Sequence, residues 1–370
     1  MFPGSGLRYR GQSFGNEPVC GCSSRRDVLA GLGAIGGAAA LFPAGARAQA
    51  TRPPAQTVDI HHHIYPPRYR ADNIDRIVKD LMIAPASFYL GWSVERAIEK
   101  MDQAGVAAAI NSMSTPGVWF DDGEAGRTRA RECNEFGARL IGDYPGRFGM
   151  FAAIPLPDAE GSLREIDYAL DVLKLDGIGL LTSYAGRLLG DPLFAPVFEE
   201  LNRRKAVVFV HPTMSCCGNL SPGISPPILE YPMDTTRTIA SLLLAGTFAR
   251  CSDIRFVFCH GGGVLASVFN RIIAAVQRMK PDERAVNLPK GPEYELQRQY
   301  YDLASVAFNP AAIAALRKLF PTSQFLYGSD EPFNSTVAIA GAVQKLDFSD
   351  DDLRAIRRGN ALRLFPRLQI

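Results

Sequence analysis

Three consecutive histidines close the segment Val58-Asp59-Ile60-His61-His62-His63. The other two of the chain's five are His211, after Val207-Val208-Phe209-Val210, and His260, after Phe256-Val257-Phe258-Cys259. Imidazole is the commonest transition-metal ligand and titrates near neutrality, so these residues can hold an ion or move a proton. Each group ends a run of β-branched and aromatic residues and is followed closely by Pro or Gly, the pattern of a buried strand entering a loop. A fourth run, Gln324-Phe325-Leu326-Tyr327-Gly328-Ser329, ends on Asp330. Residues two apart on a strand share a face, so His61 and His63 point together while His62 points away, into a packing or supporting role. His61, His63, His211 and Asp330 at the mouths of parallel strands form a donor set of three imidazoles and one carboxylate. That set fits one Zn²⁺ per chain, with Mn²⁺ as the alternative, better than Mg²⁺ or Ca²⁺, which prefer oxygen. His260 ends a neighbouring strand and is left to move protons.

The elements that must position these residues alternate regularly. Strands are expected at 58–63, 107–113, 148–155, 177–183, 207–211, 254–260, 300–305 and 324–330. Helical patterns follow them at 93–105, 126–144, 162–174, 192–204, 234–248, 264–279, 310–320 and 336–346. Eight strand–helix units predict an α/β fold, a (β/α)₈ TIM barrel with a mononuclear metal site at the C-terminal face of the strands. Asp191-Pro192 and Asn309-Pro310 read as capped helix starts, as do Asp234-Thr235-Thr236 and Ser349-Asp350. Three connections, 64–92, 213–233 and 281–299, are long enough to shape a pocket.

Residues 1–48 are expected to be a separate object. Ser24-Arg25-Arg26-Asp27-Val28-Leu29, a weakly apolar Ala/Gly stretch and Ala46-Arg47-Ala48 have the order of a twin-arginine export signal with a cleavage site. Residues 49–56 read as linker and 57–370 as the barrel domain, which predicts a periplasmic protein, or a cytoplasmic one where the signal goes unused. The chain has 370 residues and a net charge of +2, and the signal's own net charge is positive. No basic surface remains to suggest a nucleic-acid partner, and no stretch after residue 50 is apolar for long enough to span a bilayer. Cys20 and Cys22 would leave with the signal. Cys133, Cys216, Cys217, Cys251 and Cys259 lack metal-knuckle or disulfide spacing and read as core residues.

The motifs Asp59-x-His61-x-His63, His211-Pro212, His260-Gly261-Gly262-Gly263 and Gly328-Ser329-Asp330, in this order, resemble the amidohydrolase superfamily. More narrowly the chain resembles the branch typified by aminocarboxymuconate-semialdehyde decarboxylase, including its closing Gly359-Asn360-Ala361-x-x-Leu364-Phe365. Leu189-Gly190-Asp191-Pro192, Leu201-Asn202-Arg203-Arg204 and Tyr231-Pro232-Met233-Asp234-Thr235-Thr236-Arg237 are similar to 6-methylsalicylate decarboxylase-like proteins. The resemblance implies metal ligation by His61, His63, His211 and Asp330, acid/base work by His260, and a homodimer. Some decarboxylases of the branch have Glu at the position of His61, and the export signal is a departure from the cytoplasmic ones.

Two chemistries suit such a site. A decarboxylase would take a small ortho-hydroxybenzoate, protonate the ring carbon, a step for which Asp330 resembles the family's proton donor, and release CO₂, with His260 supporting the phenolate. A hydrolase of amides or lactones would use a metal-bound water, with Asp330 taking its proton and His260 polarising the carbonyl. The resemblance favours decarboxylation. Tyr65, Trp92, Phe120 and Phe333 fall on loops where substrate contacts are expected.

Overall fold

A computed structural model of the chain describes residues 56–214, 221 and 223–368. The expected signal at 1–48, nearly all of the linker, and Cys20, Cys22, Cys216 and Cys217 lie outside the described residues. Eight parallel strands form the sheet: β1 (Thr57–His63), β2 (Val106–Ser112), β3 (Phe148–Ala153), β4 (Gly177–Leu181), β5 (Val207–His211), β6 (Arg255–Phe258), β7 (Tyr300–Asp302) and β8 (Phe325–Leu326). They neighbour one another in chain order, each followed by helix, as the alternation predicts. Closure comes from the chain just past β8. Ile60 N donates to Tyr327 O at 3.1 Å, Asp330 N to His61 O at 2.7 Å, and His63 N to Glu331 O at 2.8 Å.

Strand β1 carries an irregularity that matters for the site. Asp59 pairs with Ala109 but His62 pairs with Asn111, so three residues of β1 span two of β2. Such a bulge re-aims side chains. Ile60 packs inside the barrel in one cluster with Phe151 and Phe209, and the next residue, His61, also reaches inward, its ring 5.0 Å from that of Phe209. The Asp59 carboxylate accepts the His61 amide at 3.1 Å and the Ser329 amide at 2.9 Å.

Below His61 the barrel axis is filled by rings. Phe209 stacks on Phe151 with centroids 5.0 Å apart, and Phe151 meets Phe365 edge-on at 5.7 Å. Ala361, Phe365 and Leu368 thus plug the interior from the C-terminal segment. Asn360 fastens that segment, donating from Nδ2 to Phe325 O at 2.7 Å and Thr322 O at 3.0 Å. A close-packed floor of this kind resists collapse, so the site above it stands on a rigid base.

The expected caps at Asp191, Asn309 and Ser349 accept from Leu193, Ala312 and Asp352 amides. Asp234 is not a helix start. The helix runs Pro226–Leu244, beginning where Pro226 and Pro227 preset its first turn, and Asp234 is interior to it. The long connections also hold helices that their mixed patterning hid, among them Pro67–Leu81, Ala86–Leu90, Pro281–Asn287 and Pro292–Gln297.

Candidate active site

Strand ends bring the four expected donors together. One ligand atom each from His61, His63, His211 and Asp330 lies within 4.8 Å of all the others, and all four residues are buried. His61 Nε2 lies 3.1 Å from His63 Nε2. Asp330 Oδ1 stands 3.2 Å from both nitrogens.

The other nitrogen of each ring is already engaged. His61 Nδ1 donates to Asp302 Oδ2 at 2.8 Å, and His211 Nδ1 to Pro212 O at 2.8 Å. His63 Nδ1 lies 3.0 Å from Ser112 Oγ and 3.4 Å from Ser112 O. These bonds take up Nδ1 and turn the Nε2 atoms toward one another, where a proton or a metal ion can sit. Lone pairs so close in a buried site repel unless a cation sits among them, and the donor set fits a divalent transition ion.

Electrostatics point the same way. Burial disfavours charge on His61, yet the Cys259 sulfur and the Asp302 and Asp330 carboxylates around it hold its pKa well above the usual value. Burial, followed by the charges of His63 and His61, pushes His211 well below its usual value. Burial works against ionisation of Asp330, but the His61 charge and hydrogen bonds from His260, His61 and His63 hold its pKa well below the carboxylate range.

His260 stands beside the cluster. Its Nε2 lies 3.4 Å from Asp330 Oδ2, and its side chain is the more open one, facing the cavity. His260, Ser305 and Asp330 all adopt positive φ, at 54°, 57° and 64°. Such conformations cost on the order of 1–3 kcal/mol each and persist where neighbours enforce them. Asp302 Oδ1 holds the His260 amide at 2.9 Å, and Asn334 Nδ2 spans Asp330 Oδ2 at 3.0 Å and Ser305 Oγ at 2.9 Å. Gly263, in the turn after His260, has φ 71°, and a Cβ there would lie 2.0 Å from Pro232 O.

His62 points away as expected. Its Nδ1 donates to Asn111 Oδ1 at 2.9 Å, and burial lowers its pKa to about 3, so it is a neutral packing residue.

The cavity in front of the cluster has a volume of about 220 Å³. Phe333 lines it, as do Leu81, Ile83, Ser114 and Tyr231. The other three expected substrate contacts are placed behind that lining. Trp92 packs edge-on against Phe136 at 6.5 Å, and Phe120 lies under the Arg129 guanidinium at 4.1 Å. Tyr65 sits one layer back, 5.4 Å from Tyr89 and 6.4 Å from Phe333 between ring centroids, and is absent from the wall. Helices within the 64–92 connection draw Tyr65 and Trp92 into the core.

The sequence does not single out Asp302. The expected strand runs to residue 305, whereas β7 stops at Asp302, which makes it a strand-end acid. Ser114 and Asn334 carry no signal in the sequence, since isolated polar residues on loops are ordinary, and Tyr231 stands out there only as part of the Tyr231–Arg237 resemblance.

The chain is similar in sequence and fold to known proteins. The chain is 34% identical over 333 residues to the decarboxylase yanB of Aspergillus niger, covering 85% of this chain and 88% of that protein. It is 33% identical over 328 residues to the 6-methylsalicylic acid decarboxylase acuB of Aspergillus aculeatus, covering 84% and 96% respectively. The fold matches a 5-carboxyvanillate decarboxylase from Novosphingobium aromaticivorans, solved with manganese and 4-hydroxy-3-methoxy-5-nitrobenzoic acid. That match has a TM-score of 0.75 and 22% identity, and covers 84% of this chain and 96% of that one. The amidohydrolase family matches residues 58–367, which is nearly the whole of the barrel, and the chain belongs to that family.

Proposed function

We propose that the protein is a metal-dependent, non-oxidative decarboxylase of a small ortho-hydroxylated aromatic acid. The observation that carries this reading is the His61–His63–His211–Asp330 donor set opening, with His260 beside it, onto an aromatic and apolar cavity. Relatives at 30–34% identity named as decarboxylases, over most of this chain, support it. When bound, a divalent ion would supply Lewis acidity that draws the acid's carboxylate and ortho oxygen together and offsets their charge. Three imidazoles and one carboxylate favour Zn²⁺, and the manganese in the carboxyvanillate decarboxylase makes Mn²⁺ the competing outcome.

The chain's own residues handle the proton. Loss of CO₂ directly from an arene leaves electrons in an sp² orbital, so protonation of the carboxylated carbon comes first. Asp330 is ionised in the free site, and an anionic acid placed against it raises its proton affinity by like-charge repulsion. His260, 3.4 Å from Asp330 Oδ2, is placed to pass it the proton that Asp330 delivers to the ring. Buried walls keep water from competing for that proton.

A panel of hydroxybenzoates assayed in D₂O for CO₂ release tests the proposal. Deuterium is expected at the carbon that carried the carboxylate, and only acids with an ortho hydroxyl should react. If none releases CO₂ while lactones or amides are cleaved by the metal-loaded protein, the hydrolase chemistry takes its place. Twin-arginine export belongs to the same proposal, supported by Arg25-Arg26 and Ala46-Arg47-Ala48.

A further inference from the structure

Chelation through one carboxylate and one ortho oxygen leaves the rest of the ring to be read by the cavity wall. Among the described residues lining that wall there is no Lys or Arg. Leu81, Ile83, Pro227 and Phe333 supply its apolar part, and Ser114 and Tyr231 bear hydroxyls, as does Ser305, whose Oγ already accepts from Asn334. The stretch from Thr213 to Thr236, which leads from His211 into the helix on the cavity wall, contains Glu230 and Asp234 but no Lys or Arg. Arg237, just beyond it, is committed between Glu230 at 3.9 Å and Asp234 at 3.6 Å.

The two hydroxyls are the second observation. Ser114 is 2% exposed and its Oγ has no hydrogen-bond partner. Tyr231 is 5% exposed, and its hydroxyl makes no hydrogen bond of ordinary geometry, although Thr115 is near enough to influence it. A buried hydroxyl without a partner destabilises the free protein, and a bound molecule that offers one removes that cost. Neither group carries charge, so together they suit a neutral oxygen and do little for a carboxylate stripped of its water.

We propose that this cavity selects ring acids with a single carboxylate and otherwise uncharged substituents. Ser114 and Tyr231 are its specificity-determining residues, binding a neutral ring oxygen in addition to the ortho hydroxyl. The proposal rests on the decarboxylase reading above. It separates this chain from catalysts of diacids built on the same barrel.

The test uses metal-replete protein, calorimetric binding and CO₂ release. Its ligands are salicylate, salicylates with a second hydroxyl at each remaining ring position, and hydroxyisophthalates. A second carboxylate should weaken Kd and kcat/KM by about 100-fold or more, since it buries an uncompensated charge. One dihydroxy acid should surpass salicylate, and Ser114→Ala or Tyr231→Phe should each shrink that advantage by about 5-fold. Ile83→Arg, at the half-exposed rim, should recover diacid binding. Diacids bound by the wild-type protein as tightly as salicylate would overturn the proposal with no variant needed, while CO₂ release from salicylate would leave the decarboxylase reading standing. Absence of binding and turnover for every benzoate would instead remove the decarboxylase reading, and this proposal with it.

Discussion

Nδ1 of His61 lies 2.8 Å from Oδ2 of Asp302, with both side chains wholly buried. The other oxygen of the same carboxylate accepts the backbone amides of His260 and Ala304, each at 2.9 Å. One acid therefore orients an imidazole of the candidate metal site and also holds the strained backbone of His260, the proposed proton carrier. Asp302 is a positioning residue, because it acts through His61 and His260.

Replacing Asp302 should accordingly disturb metal retention first. Asp302→Ala is expected to weaken metal affinity by about 10–100-fold, the usual effect of removing a carboxylate behind a ligating imidazole. Asp302→Asn should recover part of it by accepting the same Nδ1–H. Competition with a chromogenic chelator measures this, and unchanged affinity in both variants would refute the role.

His260→Asn separates proton movement from metal holding. Turnover should fall by a factor on the order of 10² or more, the contribution of a positioned acid or base. Metal content, read by elemental analysis, should stay at one ion per chain. Loss of the ion would place His260 among the ligands instead.

Chelation should cost both activity and stability. An ion bound only by the folded chain adds about 2.7 kcal/mol at a hundredfold excess over its Kd, so Tm should fall on stripping and return with Zn²⁺ or Mn²⁺. His61→Ala/His63→Ala should remove the metal dependence of Tm. Comparing activity restored by each ion distinguishes Zn²⁺ from Mn²⁺.

Glu331, beside Asp330, anchors the loop that presents it. Its buried carboxylate pairs with Lys100 and accepts from Thr336 Oγ1 at 3.0 Å. Glu331→Ala leaves the Thr336 hydroxyl unpartnered and should destabilise the fold by about 1–3 kcal/mol in denaturant titration. Lys100→Ala should also lower stability, because it leaves the buried Glu331 carboxylate without its cation.

Export is expected to depend on Arg25 and Arg26. Mature protein should begin at or near Gln49 outside the cytoplasm, and Arg25→Lys/Arg26→Lys should retain full-length chain inside. N-terminal sequencing of fractionated cells decides, and an intact Met1 in every fraction would refute the signal.

Much of this protein was legible in the order of its residues. Short apolar runs separated by helical patterns specify eight strand–helix units, and a barrel puts every strand end on one rim. His61, His63, His211, His260 and Asp330 could be named because each is a polar residue terminating an apolar run, a local feature that needs no knowledge of the fold. What the local pattern could not hold is which residues stand behind and across from them. Ile60 and His61 both turn inward only because β1 bulges against β2, and a register shift exists only between two strands. Asp302 meets His61 across 241 residues of chain, and Ser114 and Tyr231 border one cavity from separate parts of the sequence. Trp92, Tyr65 and Phe120 sit on the expected loops, yet packing drew them off the cavity wall. Burial of a large ring is decided by the neighbours that happen to surround it, and those come from tertiary structure alone.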